Sequence, residues 1–360
     1  MFVHMRAVEM LNQGQNVTVY VPGEIIESYN YEGVNVKILP SLQINKELKG
    51  HGIIYLHLLN IYPFKKSNGW LIYKYILKMN ISFVMYVHGS EVQKYGARMF
   101  EFNYKITDFL KWFKKDALVI PKVKKFLEGT MNRKDASFVF PSVWMKEDLE
   151  KNLNVKLKEK YSIIPNGIET KFFTFEDNSV NKYKIVSIRS LSQKVYDIEK
   201  TIEVISYLPK EFTLDLYGEG IYKEQYLSLI KKKNLENRIT IIPNFLEKVE
   251  MKKLFSNYGF YISTTRMDSQ GVNMMEAMAS GLIVVTTDNS SKKEFITDYN
   301  NGILGSSAEM LAGKIVKVTN NRSLFLKIAF NGRTSMENID IRITVTKELA
   351  LLSKISLKHE

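Results

Sequence analysis

Residues 259–304 read GFYISTTRMDSQGVNMMEAMASGLIVVTTDNSSKKEFITDYNNGIL. Phe260 to Thr264 is an apolar, β-rich run and predicts a buried strand. A polar loop, Thr265 to Gln270, follows. Gly271 then opens a short helix, Val272 to Ser280, with Met274, Met275 and Met278 at roughly helical spacing. Gly281 stands where a helix C-terminus favours a left-handed residue. Leu282 to Val285 is a second continuous apolar run, as strands buried on both faces of a parallel sheet usually are. Strand, loop, helix, strand is a βαβ unit. Such units bind ligands at the carboxyl ends of their strands, against helix N-termini.

Two acids sit in this unit, Asp268 and Glu276, with seven residues between them. Asp268 lies in the loop and Glu276 more than one turn into the helix, where each residue rises about 1.5 Å. Between them, Gln270, Gly271, Val272 and Asn273 offer backbone N–H groups and the positive end of a helix dipole. This layout suits a ligand with hydroxyls at both ends and a phosphate in the middle, as in a nucleoside diphosphate sugar. The plainer reading makes Asp268 a helix cap and Glu276 solvated surface.

Extended to DSQGVNMMEAMASGLIVV, the stretch resembles the signature of retaining glycosyltransferases of family 4, which have the two-domain GT-B fold, many of them in bacterial polysaccharide and glycan assembly. Their pattern is an acid, seven residues, Glu, Ala-Met-Ala, a small residue, Gly and a β-rich run. The first acid is usually Glu in that family and is Asp268 here, one methylene shorter.

The remainder of the chain supplies context. Its 360 residues exceed what one core usually holds, so two domains are expected. With 45% hydrophobic residues and mixed charge it is globular rather than disordered. No apolar run approaches the roughly 18 residues of a membrane span, and no signal peptide opens the sequence. Zero cysteines exclude disulfides and thiolate metal sites, and the cytoplasm is the simplest compartment.

Ala7, Met10 and Leu11 share one face of a helix ending near Gly14, and Val17 to Val21 predicts a strand. In the resembled family a strand and a Gly-rich loop precede this helix. The resemblance therefore implies a first-domain sheet whose opening strand is missing, with an unpaired edge or an empty slot. Further strands are expected at Val36–Leu39, Gly52–Leu58, Ser82–Val87, Ser137–Phe140 and Tyr161–Ile164, with a helix from about Lys146. His88-Gly89-Ser90-Glu91 follows the third of these. The resemblance gives His88, and more weakly Glu91, a place facing the transferred sugar, whereas His57 reads as structural. Pro165-Asn166-Gly167 is turn chemistry and matches the family's turn before the domain linker, which places the boundary at about 168 to 180.

Residues 51–134 hold about 15 Lys and Arg against about 5 Asp and Glu, most of the net charge of +13. Within 63–134 the lysines interleave with Trp, Tyr and Phe on helix-like segments. Phe109, Trp112 and Phe113 are spaced to share a helix face flanked by Lys111, Lys114 and Lys115. Such a surface suits an anionic membrane at about 1 kcal/mol per basic residue; an ordinary solvated face is the alternative, and no nucleic-acid motif accompanies the charge.

In the second half, Tyr183–Ile188, Phe212–Tyr217 and Ile239–Ile242 predict strands. Arg189 and Lys194 follow the first of them, and two such cations can converge on one diphosphate. They match the family's Arg and Lys, while Ile188 and Val195 stand where its glycines fall. Gly218-Glu219-Gly220 resembles the family's turn beside the nucleotide, and Asn244 and Phe245 lie where the family touches the base. Glu294 matches a Pro-Glu position, with Lys293 in place of the Pro. Helices are expected at about 308–319, 322–335 and 341–357.

The resemblance implies an α/β fold of two Rossmann-like domains with parallel sheets facing an interdomain cleft. Their bounds are 1–168 for the acceptor domain and 169–340 for the nucleotide-sugar domain, with a terminal helix, 341–360, crossing back to the first. It implies a metal-independent hexosyltransferase with no cofactor. The donor is a UDP- or GDP-sugar and the acceptor a glycan or lipid-linked glycan. Arg189 and Lys194 would steady the leaving diphosphate, Glu276 the ribose hydroxyls and Asp268 the donor sugar. The expected location is the cytoplasm, peripheral on the inner membrane face, with no nucleic-acid partner. A sugar-nucleotide epimerase and a non-catalytic partner subunit remain as alternatives.

Overall fold

The computed structural model describes residues 2–356 apart from Gly52, Leu58 and Pro63. The outer ends of the strand expected at Gly52–Leu58, the first residue of the basic segment and Leu357 to Glu360 lie outside the described residues. The chain divides into two compact units, Met1–Gly167 with Ile341–Glu360, and Ile168–Asp340.

In the first unit, β1 (Thr18–Pro22), β2 (Glu27–Tyr31) and β3 (Val34–Leu39) form one sheet in the order β1-β3-β2. A second sheet holds β4 (Ile54–His57), β5 (Phe83–Tyr86), β6 (Ala136–Phe140) and β7 (Tyr161–Ile163), all parallel and in chain order. The strands thus fall into two sheets rather than one. Side chains alternate along a strand, so β5 sends Phe83 and Met85 into one core and Val84 and Tyr86 into another. The helix Ile341–Ser356 covers the second core with Ile341, Val345 and Leu352.

The helix expected near Lys146 begins earlier, at Val143, because the Ser142 hydroxyl accepts the Met145 N–H at 3.1 Å and caps it there. The helix Gly69–Met79 is followed downstream by Ile106–Phe113, a wide π turn at Lys114–Val119 and Ile120–Thr130. Strand β2 was not expected. It is exposed along its whole length, so it carries no burial pattern to read.

The second unit is one six-stranded parallel sheet of β8 (Lys184–Ile188), β9 (Thr213–Tyr217), β10 (Ile239–Ile242), β11 (Phe260–Ser263), β12 (Ile283–Thr287) and β13 (Ile303–Gly305). Its order is β10-β9-β8-β11-β12-β13. Ile185, Ile262, Ile283 and Val285 face one helical layer, whereas Val186, Tyr261 and Val284 face the other, which includes Met274, Met275 and Met278. Strand order reverses between β8 and β11. Loops leaving the carboxyl ends of those two strands diverge, and the opening between them is where open α/β sheets bind ligands.

Candidate active site at the strand-order reversal

Three loops converge there. The first follows β8 and carries Arg189 and Lys194. Gly218 and Gly220, in the turn after β9, let it approach: a Cβ on Gly218 would lie 1.9 Å from the Arg189 carbonyl oxygen, and one on Gly220 2.1 Å from the Leu191 carbonyl carbon. Gly218 therefore has a packing reason of its own beside the nucleotide role the resemblance implies. The second loop, after β11, is tied to the first by Arg266. Its N–H donates to the Val195 carbonyl at 2.8 Å and its guanidinium meets the Asp197 carboxylate at 2.6 Å.

The third loop follows β12 and clamps the second. The Ser291 hydroxyl donates to the Asp268 carbonyl at 2.8 Å, and the Asp268 N–H donates to the Ser290 hydroxyl at 3.2 Å. Lys292, fully buried, donates to the carbonyl and hydroxyl of Thr265 and to the Thr287 hydroxyl. Burial pulls its pKa down to about 7, against the opposing influence of Asp268. Sequence reading missed Lys292, because Ser-Ser-Lys-Lys-Glu reads as an exposed helix start.

Within this frame the guanidinium of Arg189 lies against β11, donating to the Ser263 hydroxyl at 2.7 Å. Its Nε–H is buried with no hydrogen-bond partner among the described residues. Burial works against its charge, but Tyr261, Asp268, Tyr196 and Glu276 more than offset this, and its pKa is raised. Lys194 sits in the short 3-10 turn Lys194–Tyr196, with its ammonium 5.5 Å from the centre of the Tyr222 ring.

Glu276 is 3% exposed, and no donor among the described residues hydrogen-bonds its carboxylate. Burial pushes its pKa up to about 7, with Lys248 and Arg189 pulling the other way. The solvated reading of this acid is thereby excluded. Asp268 is half-buried, and its Oδ1 accepts the Gln270 N–H at 3.1 Å. That bond corrects one expectation: the Gln270 N–H is not open to a ligand, and its side-chain amide is buried against the Met275 sulfur at 3.2 Å. Gly271 caps the helix Val272–Ala279 with φ +78°, which leaves the N–H groups of Val272 and Asn273 in a first turn that has no helical carbonyl to meet them. Asn244 and Phe245 lie on the loop after the edge strand β10, where the Phe245 ring is 77% exposed.

In the first unit, His88 follows β5 and His57 ends β4, and their rings meet through Nε2 and Nδ1 at 2.8 Å. The pKa of His88 is pushed down to about 3 by burial and then by the Arg6 charge, and His57 is lowered for similar reasons. Both are neutral imidazoles near pH 7, so His88 can exchange hydrogen bonds but not serve as a cationic acid. Sequence reading treated His57 as structural and did not pair it with His88, because adjacency across two parallel strands is not local information.

Residues 169–335, within the second unit, match the family described as Glycosyl transferases group 1. The poly(ribitol-phosphate) alpha-N-acetylglucosaminyltransferase of Staphylococcus aureus is 30% identical over 164 residues, 43% of this chain and 32% of that protein. The alpha-monoglucosyldiacylglycerol synthase of Streptococcus pneumoniae is 25% identical over 229 residues, 58% of this chain and 50% of that protein. The chain thus spans half or less of the length of these relatives. Sucrose-phosphate synthase from Thermosynechococcus elongatus superposes with a TM-score of 0.74 at 14% identity, covering 98% of this chain and 92% of that one. The fold is accordingly the two-unit α/β architecture with parallel sheets of the GT-B proteins.

Proposed function

We propose that this protein is a retaining glycosyltransferase that moves a sugar from a nucleotide sugar to an acceptor hydroxyl. The observation that carries the reading is the pair of unspent polar groups at the strand-order reversal. The Arg189 Nε–H is buried with no hydrogen-bond partner among the described residues, and Glu276, 3% exposed, has its pKa raised by burial. Burying such groups unmet costs about 1–3 kcal/mol each, and a nucleoside diphosphate sugar offers what each lacks. Its ribose hydroxyls would donate to Glu276, and its diphosphate would accept from Arg189, Lys194 and the N–H groups of Val272 and Asn273. Asp268, fixed through its backbone by Ser290 and Ser291, would hold a hydroxyl of the transferred sugar.

In the reaction the bond between the anomeric carbon and the diphosphate oxygen breaks, and its electron pair stays on that oxygen. Arg189 and Lys194 stabilise the charge that develops there, without a metal ion. The acceptor oxygen bonds to the anomeric carbon from the same face, and the leaving phosphate takes the acceptor proton. His88, neutral at working pH, would serve as a hydrogen-bonding group.

The favoured acceptor is a lipid-linked glycan of surface polysaccharide synthesis, reached at an anionic membrane. The support is the helix Ile106–Phe113, where Ile106, Phe109, Leu110 and Phe113 form a stripe at three- and four-residue spacing and are 80%, 50%, 64% and 58% exposed. Lys105, Lys111 and Lys114 border that stripe. A relative named for synthesising a glucosyl-diacylglycerol adds weight. Among the described residues no helix is long and apolar enough to cross a membrane.

A thermal-shift panel of UDP- and GDP-sugars, followed by NMR of the product's anomeric linkage, tests the reading. One donor class should raise Tm, and transfer should retain configuration. Donor turnover without acceptor would point to an epimerase. A chain blind to every nucleotide would be a partner subunit.

A further inference from the structure

A cavity of about 330 Å³ opens in the first unit beside the loop that follows β5. Ile61, Val119 and Val123 supply apolar wall. Its charged lining is Arg98, Lys111, Lys114 and Lys115 against Glu91, a local balance of four minus one, or +3. Three neighbouring acids, Glu101, Asp108 and Asp116, offset part of it. Asp116 is engaged by the N–H groups of Tyr95 at 2.6 Å and Gly96 at 3.4 Å. Asp108 accepts the Asn103 N–H at 2.9 Å and meets Lys111 only at 3.6 Å. Glu101 stands 3.5 Å from Arg98.

Lys115 and Glu91 both line this cavity. Lys115 donates to the Glu91 carbonyl at 2.7 Å, yet burial lowers its pKa despite the opposing charges of Glu91 and Asp116. The Glu91 Oε2 is buried with no hydrogen-bond donor among the described residues. Lysines grouped on one side call for an anion, and an orphaned carboxylate oxygen calls for a hydroxyl. The apolar wall between them suits a short carbon chain. Lys114, 5.1 Å from the centre of the Tyr62 ring, is held at the rim rather than swinging freely in solvent.

We propose that this cavity binds a phosphate-bearing polyol, taking the phosphate on Lys111, Lys114 and Arg98 and a hydroxyl on Glu91, as the acceptor subsite. That it serves an acceptor rests on the glycosyl transfer proposed above; that it binds such a ligand does not. Glu91 follows His88 by three residues in the segment after β5. The polyol phosphate can be a soluble molecule or the headgroup of a lipid.

Calorimetric titration of the full chain with glycerol phosphate, inorganic phosphate and glycerol tests it. Glycerol phosphate should bind, glycerol should not, and Lys111→Ala with Lys114→Ala should weaken binding about tenfold or more. Both lysines are exposed, so that variant should melt as the parent does. Glu91→Gln should remove the preference for glycerol phosphate over inorganic phosphate. Arg189→Ala, in the other unit, should leave glycerol phosphate affinity unchanged. Displacement by phosphatidylglycerol vesicles but not phosphatidylcholine vesicles would identify a lipid headgroup; no displacement would identify a soluble ligand. Equal affinity in parent and double-lysine variant, or no phosphate binding by a chain that still binds a nucleotide sugar, would overturn the inference. Glycerol phosphate binding by a chain that binds no nucleotide sugar would instead overturn the transfer reaction and leave the cavity's ligand standing.

Discussion

At the scale of single residues, Glu276 combines burial, absence of a bonded donor and a pKa raised to about 7. A carboxyl whose folded pKa exceeds its unfolded value holds more protons folded than unfolded between the two. Its contribution to stability therefore falls as pH rises from about 4.5 to about 7. Ligand hydroxyls favour the ionised form, so nucleotide affinity should rise with pH through about 7 and level off above it. Glu276→Gln should flatten that profile and weaken binding by roughly 1–3 kcal/mol at pH 8; calorimetry across pH 5.5 to 8.5 checks both, and an unchanged profile would remove Glu276 from the donor site. Local sequence placed the two acids and the two cations on a loop, a helix and the segment after a strand, while the roles expected of them came from the family resemblance. Gln270 and Lys292 were not legible in this way. Whether an amide meets Asp268, or a lysine is enclosed by oxygens from two other loops, depends on tertiary approach that no window of sequence reports.

Among elements, the parallel strands were the most readable, since burial on both faces leaves continuous apolar runs in β5, β6, β11 and β12. Strand β2 lacked that signal. Its place is set by the two-residue turn Glu32-Gly33, both at positive φ (48° and 82°), which pairs it with β3. The helix Ile106–Phe113 shows the opposite limit, because spacing revealed a shared face but not which way the face points. It points to solvent. If that face meets an anionic bilayer, Phe109→Ser with Phe113→Ser should abolish co-sedimentation with phosphatidylglycerol vesicles while shifting stability by no more than about 0.5 kcal/mol. A large fall in Tm would show that the stripe is core, and vesicle binding equal to the parent's would leave the lysines acting alone.

For the whole molecule, the α/β class and the presence of two units followed from length and from alternating strands and helices. The division of the first unit into two sheets could not be read with the same certainty, because pairing between distant strands is not encoded locally. Nor could its buried ion pair. Arg6, 2% exposed, donates from Nε to Glu348, 1% exposed, at 2.9 Å, and from Nη2 to the Asn166 side chain at 3.0 Å. The guanidinium also lies 4.1 Å from the centre of the Tyr86 ring. Removing one partner strands the other's charge, so Glu348→Ala should cost about 3–5 kcal/mol in urea unfolding. A cost below about 1 kcal/mol would mean that water or Asn166 suffices for Arg6. The pair also joins a helix near the beginning of the chain to one near its end, with all of the second unit between them in sequence. During synthesis, then, the second unit can close while the first still waits. The face of Val84, Tyr86 and Val139 lacks part of its cover, and Arg6 its carboxylate partner, until the ribosome has delivered the helix Ile341–Ser356. A premature stop just after Asp340 would release a chain with one finished half and one sticky one, material for chaperones and proteases rather than a smaller working protein.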